Sequence, residues 1–173
     1  MTDPAVRTPT APQPVAGGFR TMMSGFPTGV SILTCTELDG TPRGMTCSSL
    51  CSVSLEPPTL LVCLRDGSPT LAAVVAGGRF AVNLLHDGAQ HAAELFASGD
   101  PRRFRLLPWQ LPSEAAGPHL VRDAHTVADC DVVLTQKMGD HVTVFGEARR
   151  IRVSQQRPPL LYGLRQFRSW SRV

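Results

Sequence analysis

The chain has 173 residues, 42% of them hydrophobic but only 6% aromatic, with a formal net charge of +3. That length and apolar content suit one domain whose core rests on Val, Leu, Ala and Met, and they exclude a wholly disordered chain. The charge is too small to point to nucleic acid by itself, and no apolar run approaches the roughly 20 residues of a membrane-spanning helix.

The first residues, MTDPAVRTPTAPQPVAGG, carry Asp3 and no hydrophobic segment, so they do not read as a signal peptide. The expected location is the cytoplasm, where Cys35, Cys47, Cys51, Cys63 and Cys130 stay reduced. An odd number of cysteines also argues against a closed disulfide framework. Residues 1–18 are rich in Pro, Thr and Ala and lack periodicity, so they read as a disordered tail, and residues 19–173 as the folded domain.

In chain order, Phe19, Met22, Met23 and Phe26 have the spacing of an amphipathic helical turn, ended by Pro27 and Gly29. Alternation around Val30 and Ile32 predicts a strand, and Asp39-Gly40 a hairpin turn. The chain returns through GMTCSSLCSVSLEPP (44–58), a strand-like stretch unusually rich in small hydroxyls and thiols. PPTLLVCLRD reads as a buried strand. SPTLAAVVAGG reads as a short helix with Ser68 as N-cap, Pro69 in the first turn and Gly77 past the end. RFAVNLL is another strand and GAQHAAELFASGD a second short helix, with Ala92, Ala93, Leu95 and Phe96 on its buried side. Residues 98–126 are proline-interrupted and irregular. Two long strands joined at KMGD follow, then a last short strand and an arm in PPLLYGLRQFRSW. Hairpin-linked strands with few helices favour an antiparallel barrel over a doubly wound parallel sheet.

The motifs exclude several chemistries. Cys47 and Cys51 form C-x3-C without a second ligand pair, and both would face one side of a continuous strand, so zinc is disfavoured and no metal is expected. G-x-S-x-G, G-x-G-x-x-G and Walker sequences are absent. Of the five histidines, His141 stands out, because it follows Gly139-Asp140 at a predicted turn. Arginines cluster at 102–105, 149–152 and 165–172, as a solvated face or as phosphate binders. Asn83 interrupts an apolar strand; it either satisfies backbone groups internally or reads a ligand edge.

These motifs together give the chain a resemblance. FRTMMSGFPTGVSILT (19–34), DGTPRGMTCSSLCSVSLEPPTLLVCL (39–64), SPTLAAVVAGGRFAVNLL (68–85), ELFASGDPRRF (94–104), ADCDVVLTQKMGDHVTVFGEA (128–148) and PPLLYGLRQF (158–167) resemble the flavin reductase family in order and spacing. The resemblance implies a mainly β fold, a six-stranded antiparallel Greek-key split β-barrel (the FMN-binding split barrel) with a few short helices. It implies NAD(P)H-dependent reduction of FMN or FAD, in a homodimer with flavin at the interface and NADH or NADPH docking over it. The reduced flavin would pass to a monooxygenase or halogenase component.

Carried over by position, flavin would meet Pro27, Thr28 and Gly29, then Met45, Thr46, Cys47, Ser48 and Ser49. Further contacts would come from Cys63, Leu64, Arg65, Ser68, Thr70 and Asn83. Phe104, Tyr162 and Phe167 would border the site, and His141 would sit beside the nicotinamide. His125 and Val127 depart from the family's pattern at positions bearing on packing. Two other readings are a flavin-binding barrel with a different redox or carrier role, and an Arg-rich nucleic-acid-binding or interaction module.

Overall fold

A computed structural model describes residues 15–154 and 156–170. Most of the expected tail therefore lies outside the described residues. Helix α1 (Val15–Ser24) begins ahead of the expected start at Phe19, since the sequence from Val15 to Phe26 holds no proline to break it. No residue of α1 is buried, and Phe19, Met22 and Met23 are all exposed.

The strands are β1 (Thr28–Gly29), β2 (Ser31–Thr36), β3 (Pro42–Cys47), β4 (Cys51–Leu55), β5 (Pro58–Arg65), β6 (Arg79–Leu85), β7 (Ala124–Met138), β8 (His141–Val153), β9 (Leu160–Gly163) and β10 (Gln166–Ser169). Helices α2 (Pro69–Gly77), α3 (Gln90–Ser98) and α4 (Arg103–Leu106) lie between them. A seven-stranded antiparallel sheet runs β3-β2-β6-β7-β8-β5-β4, and a small sheet runs β1-β9-β10. The mainly β, antiparallel expectation holds. The large sheet has seven strands rather than six, because the small-residue stretch breaks between Cys47 and Cys51 into β3 and β4. The C-terminal segment likewise forms a hairpin, not one strand and an arm.

The largest core cluster draws on both ends of the sheet. Cys47 of the edge strand β3 shares a cluster with Val62 and Leu64 of β5, Phe80 and Val82 of β6, and Val144 of β8. Helix α2 covers this cluster with Leu71, Ala73 and Val74. On the other face, α3 packs Ala92, Ala93 and Phe96 against Val30, Ile32 and Leu160. Strand β2 is thus covered on both faces and is buried from Ser31 to Cys35, so the alternation expected of a half-buried strand gives way to continuous burial.

Local chemistry explains the helix ends. Ser68 Oγ accepts from Leu71 N at 3.2 Å, and Pro69 opens α2, as expected. The left-handed cap is Gly78 (φ 65°), one residue beyond the expected Gly77. Gly44 permits the approach of α3: a Cβ there would lie 2.8 Å from the Leu33 carbonyl oxygen and 3.1 Å from a Phe96 ring carbon.

Asn83 resolves in favour of the internal alternative. It is fully buried, and its Nδ2 donates to the Ile32 carbonyl and Thr34 Oγ1, both at 3.1 Å, and to the Pro118 carbonyl at 3.3 Å. Its Oδ1 accepts from Leu120 N at 2.8 Å. The amide therefore ties β2 and β6 to the 118–120 loop, and both ends of it are engaged within the protein. Asn83→Ala strands several buried groups and should cost about 2–4 kcal/mol in urea unfolding, with an unchanged m-value.

Candidate functional site

The site begins where β3 ends. The β4–β5 ladder pairs Ser52 with Leu60 and Cys51 with Leu61. Continued in register, it would set Ser49 opposite Cys63, but the main chain has already left β5. Instead the Ser49 side chain fills the gap: its Oγ accepts from Cys63 N at 3.0 Å and donates to the Cys63 carbonyl at 3.2 Å. Residues 48–50 consequently lie outside both neighbouring ladders. Cys47 Sγ sits 3.1 Å from the same hydroxyl, and Cys63 Sγ lies 3.7 Å from Thr143 Oγ1 on β8.

Beside this break lies a cleft of about 480 Å³. Thr46 and Ser48 line it from β3 and the residue beyond its end, Glu94, Ala97 and Ser98 from α3, and Tyr162 and Phe167 from the β9–β10 hairpin. Thr46 Oγ1 donates to the Ala93 carbonyl at 2.6 Å, joining β3 to α3. Ser48 is exposed, and among the described residues its hydroxyl has no partner. The Tyr162 and Phe167 rings lie 5.0 Å apart at 56°. One wall is therefore aromatic and another carries hydroxyls, which suits a flat ligand with a polar edge.

The other carried-over residues fall into three groups. Thr28 and Gly29 pair with Tyr162 and Leu161, and Pro27 packs against Gly163, so this turn is tied to the aromatic wall. Arg65 lies opposite His141 in the β5–β8 ladder, two positions beyond Cys63. His141 is exposed, with Nδ1 2.9 Å from Asp140 Oδ1, and does not line the cleft. The third group faces inward. Cys47, Leu64 and Thr70 are buried, and Met45 packs partly on the core, so a ligand would meet Cys47, Leu64 and Thr70 only through main chain. Ser68 caps α2, and Ser49's hydroxyl is engaged by Cys63. Phe104 is half-buried, edge-on to Phe96 at 5.0 Å and to Trp109 at 6.0 Å, so it supports the α3 side rather than bordering the cleft.

Sequence reasoning missed Glu94, Ala97 and Ser98. All three fall within the ELFASGDPRRF motif, on the face of the second helix away from its buried Ala92, Ala93 and Phe96, and that exposed face was the available signal.

The cysteines do not form a reactive pair. Cys47 is buried and Cys51 exposed, because the break after Cys47 ends the alternation that would have set them on one side. Burial pushes the Cys35 and Cys130 thiols up to about 12, with neighbouring carboxylates adding to it, and burial also raises Cys47. Among the described residues, no three His, Cys, Asp or Glu side chains group as a metal site. Several clustered arginines are paired: Arg102 with Asp100, Arg149 with Asp131 and Glu147, and Arg150 with the buried Asp129. No helix among the described residues is long and apolar enough to cross a membrane.

The flavin reductase like domain matches residues 23–171. The chain belongs to that family. Flavin reductase (NADPH) from Lentzea aerocolonigenes is 47% identical over 156 residues, spanning 90% of this chain and 91% of that protein. Flavin reductase (NADH) from Kitasatospora aureofaciens is 38% identical over 153 residues, spanning 88% of this chain and 80% of that protein. An NADH:FAD oxidoreductase from Streptomyces globisporus, solved in complex with NAD and FAD fragments, superimposes with a TM-score of 0.83 at 30% identity, covering 91% of this chain and 93% of its own. The flavin reductase family thus accounts for the fold's length and the order of its motifs.

Burial orders the thiols by reactivity. At neutral pH, iodoacetamide should label Cys51 first and leave Cys35 and Cys130 unlabelled until the chain is unfolded in urea, as read by peptide mass spectrometry.

Proposed function

We propose that this protein oxidises NADH or NADPH and reduces FMN or FAD, supplying the reduced flavin to a partner monooxygenase or halogenase component. The observation that carries this is near-full-length similarity to a flavin reductase, 47% identical across 90% of the chain. Relatives matched over at least three quarters of their own length include reductase subunits of flavin-dependent monooxygenases, and one similar structure is the flavin reductase component of a tryptophan halogenase.

The residues present fit a flavin. An isoalloxazine ring is planar, apolar on its faces and polar along its pyrimidine edge. The cleft offers Tyr162 and Phe167 on one side and the hydroxyls of Thr46 and Ser48 on another. Small side chains from Thr46 to Ser49 let backbone approach closely, and residues 48–50 carry main-chain groups not consumed by a ladder. Such amides suit an edge where negative charge grows. Bound flavin supplies a two-electron acceptor. The protein's part is to hold two flat rings in contact and exclude misaligned encounters, which needs little acid–base chemistry. Thr28 and Gly29, paired with Tyr162 and Leu161, and Cys63 and Arg65, beside Ser49 and His141, are assigned to the flavin as neighbours of the cleft. His141, beside Arg65, is assigned to the nicotinamide nucleotide, as a hydrogen-bond donor at the mouth of the site.

A core cluster that draws on both ends of the sheet supports the six-stranded Greek-key split barrel, with β3 and β4 read as two halves of one strand interrupted at Ser48–Leu50. A second copy of the chain is the proposed cover for α1, whose Phe19, Met22 and Met23 are exposed along with the following Phe26. We place the protein in the cytoplasm, where nicotinamide nucleotides and reduced thiols coexist.

NADH or NADPH oxidation followed at 340 nm should depend on added FMN or FAD in at least one of the four pairings. Absence of flavin-stimulated oxidation in all four overturns the proposal, and flavin binding without oxidation would instead favour a carrier. His141→Ala should raise KM for the nicotinamide about tenfold while leaving the flavin Kd within about twofold. Equal losses in both would remove His141 from the nicotinamide side.

A further inference from the structure

The aromatic wall of the cleft is borne by the β9–β10 hairpin, whose two ends meet where Ser169 pairs with Leu160. Its β9 strand is held along its length, by pairing with β1 and by Val30 N donating to the Leu160 carbonyl at 3.0 Å. Its tip is held by Leu164 N donating to the Ser24 carbonyl at 2.6 Å. The β10 strand, which carries Phe167, pairs only with β9 and presents a free edge among the described residues. At its base Ser169 pairs with Leu160, Trp170 N donates to the Pro159 carbonyl at 3.4 Å, and Pro159 bridges to His86, so among the described residues only the segment entering β9 has a main-chain tie to the body.

One side chain reaches both ends of the hairpin from the body. Asp87, in the turn between β6 and α3, accepts from Arg157 Nη2 through Oδ1 at 2.9 Å and from Ser169 Oγ through Oδ2 at 3.1 Å. Its own N donates to the Pro158 carbonyl at 2.9 Å. Arg157 precedes β9 and Ser169 ends β10, so the two carboxylate oxygens hold the two ends of the hairpin to one point on the body. Burial alone would raise the Asp87 carboxyl, but hydrogen bonds from Ser169 and Arg157 outweigh it and hold the group below its usual value. It is therefore ionised at neutral pH, and both contacts are charge-assisted.

We propose that Asp87 is a positioning residue for the flavin cleft, clasping the base of the β9–β10 hairpin so that Tyr162 and Phe167 stand over Thr46 and Ser48. It touches neither flavin nor nicotinamide and acts through the hairpin it holds. The inference rests on reading this cleft as the flavin site. A loosened β10 would move Phe167 away from Tyr162, enlarge the cleft and weaken ring binding, while flavin already seated would react as before. The signature is a loss in affinity without a matching loss in turnover.

The test uses the full chain as wild type, Asp87→Ala, Ser169→Ala, Ser169→Thr and the double Asp87→Ala/Ser169→Ala variant. FMN and FAD affinities come from fluorescence titration, turnover from assays at saturating flavin, and hairpin opening from hydrogen exchange over residues 160–169. Asp87→Ala and Ser169→Ala should each weaken flavin about fivefold with kcat changed less than about twofold, and the double variant should be no worse than Asp87→Ala. Ser169→Thr, which keeps the hydroxyl on an edge strand, should bind within about twofold of wild type. Unchanged affinity in both alanine variants, or fully additive losses, overturns the clasp. If Asp87→Ala does not fold, the exposed Ser169 pair decides alone. If wild type binds neither flavin, the reading of the cleft fails, and hydrogen exchange still judges the clasp: faster exchange in Ser169→Ala supports it, and unchanged exchange overturns it.

Discussion

A strand that turns away from its neighbour leaves that neighbour's amide and carbonyl without partners, and stranding such groups away from water costs about 1–3 kcal/mol each. This constraint governs the centre of the molecule. At Cys63 the penalty would fall where the chain departs after Cys47, and the Ser49 hydroxyl meets both groups at once. Because a side chain closes the ladder, the backbone of residues 48–50 is released from it. The shared core behind Cys47 and the open cleft in front of Ser48 flank that substitution of side chain for main chain.

A second tie keeps the body still enough for the cleft to have a shape. The Asn83 amide joins β2, β6 and the 118–120 loop, and Thr46 joins β3 to α3. Both are polar contacts made in or beside apolar surroundings, where they favour one arrangement over others that pack equally well. The hairpin wall is different. Its β9 strand is held along its length, whereas β10 pairs only with β9 among the described residues, so β10 is the part of the wall best suited to yield as a ligand enters or leaves.

Much of the fold was legible because local rules agreed with the global one. Ser68-Pro69 marked α2, Asp39-Gly40 and Gly139-Asp140 marked turns, and the long strands declared themselves by length and β-branched content. The strand break at Ser48–Leu50 was not legible, since the groups that Ser49 satisfies there belong to Cys63, a residue distant in sequence. Nor was the continuous burial of β2, which reflects two helices arriving from later in the chain. In the candidate site, Thr46, Ser48 and Tyr162 were implied by the family resemblance and are together in the cleft. Asn83, Leu64 and Phe104 share the motifs but belong to the scaffold beneath, a distinction that only burial and partner geometry make.

The absent side chain at Gly44 has a consequence for comparing relatives. Helix α3 lies close to β3 because nothing projects between the Leu33 carbonyl and the Phe96 ring. The same helix supplies one flank of the cleft through Glu94, Ala97 and Ser98. A single methyl at 44 would act as a shim, lifting that flank and deepening the cavity without altering any residue that lines it. Two reductases with identical linings can therefore offer rings of different size different room, and an inventory of pocket residues would miss the reason.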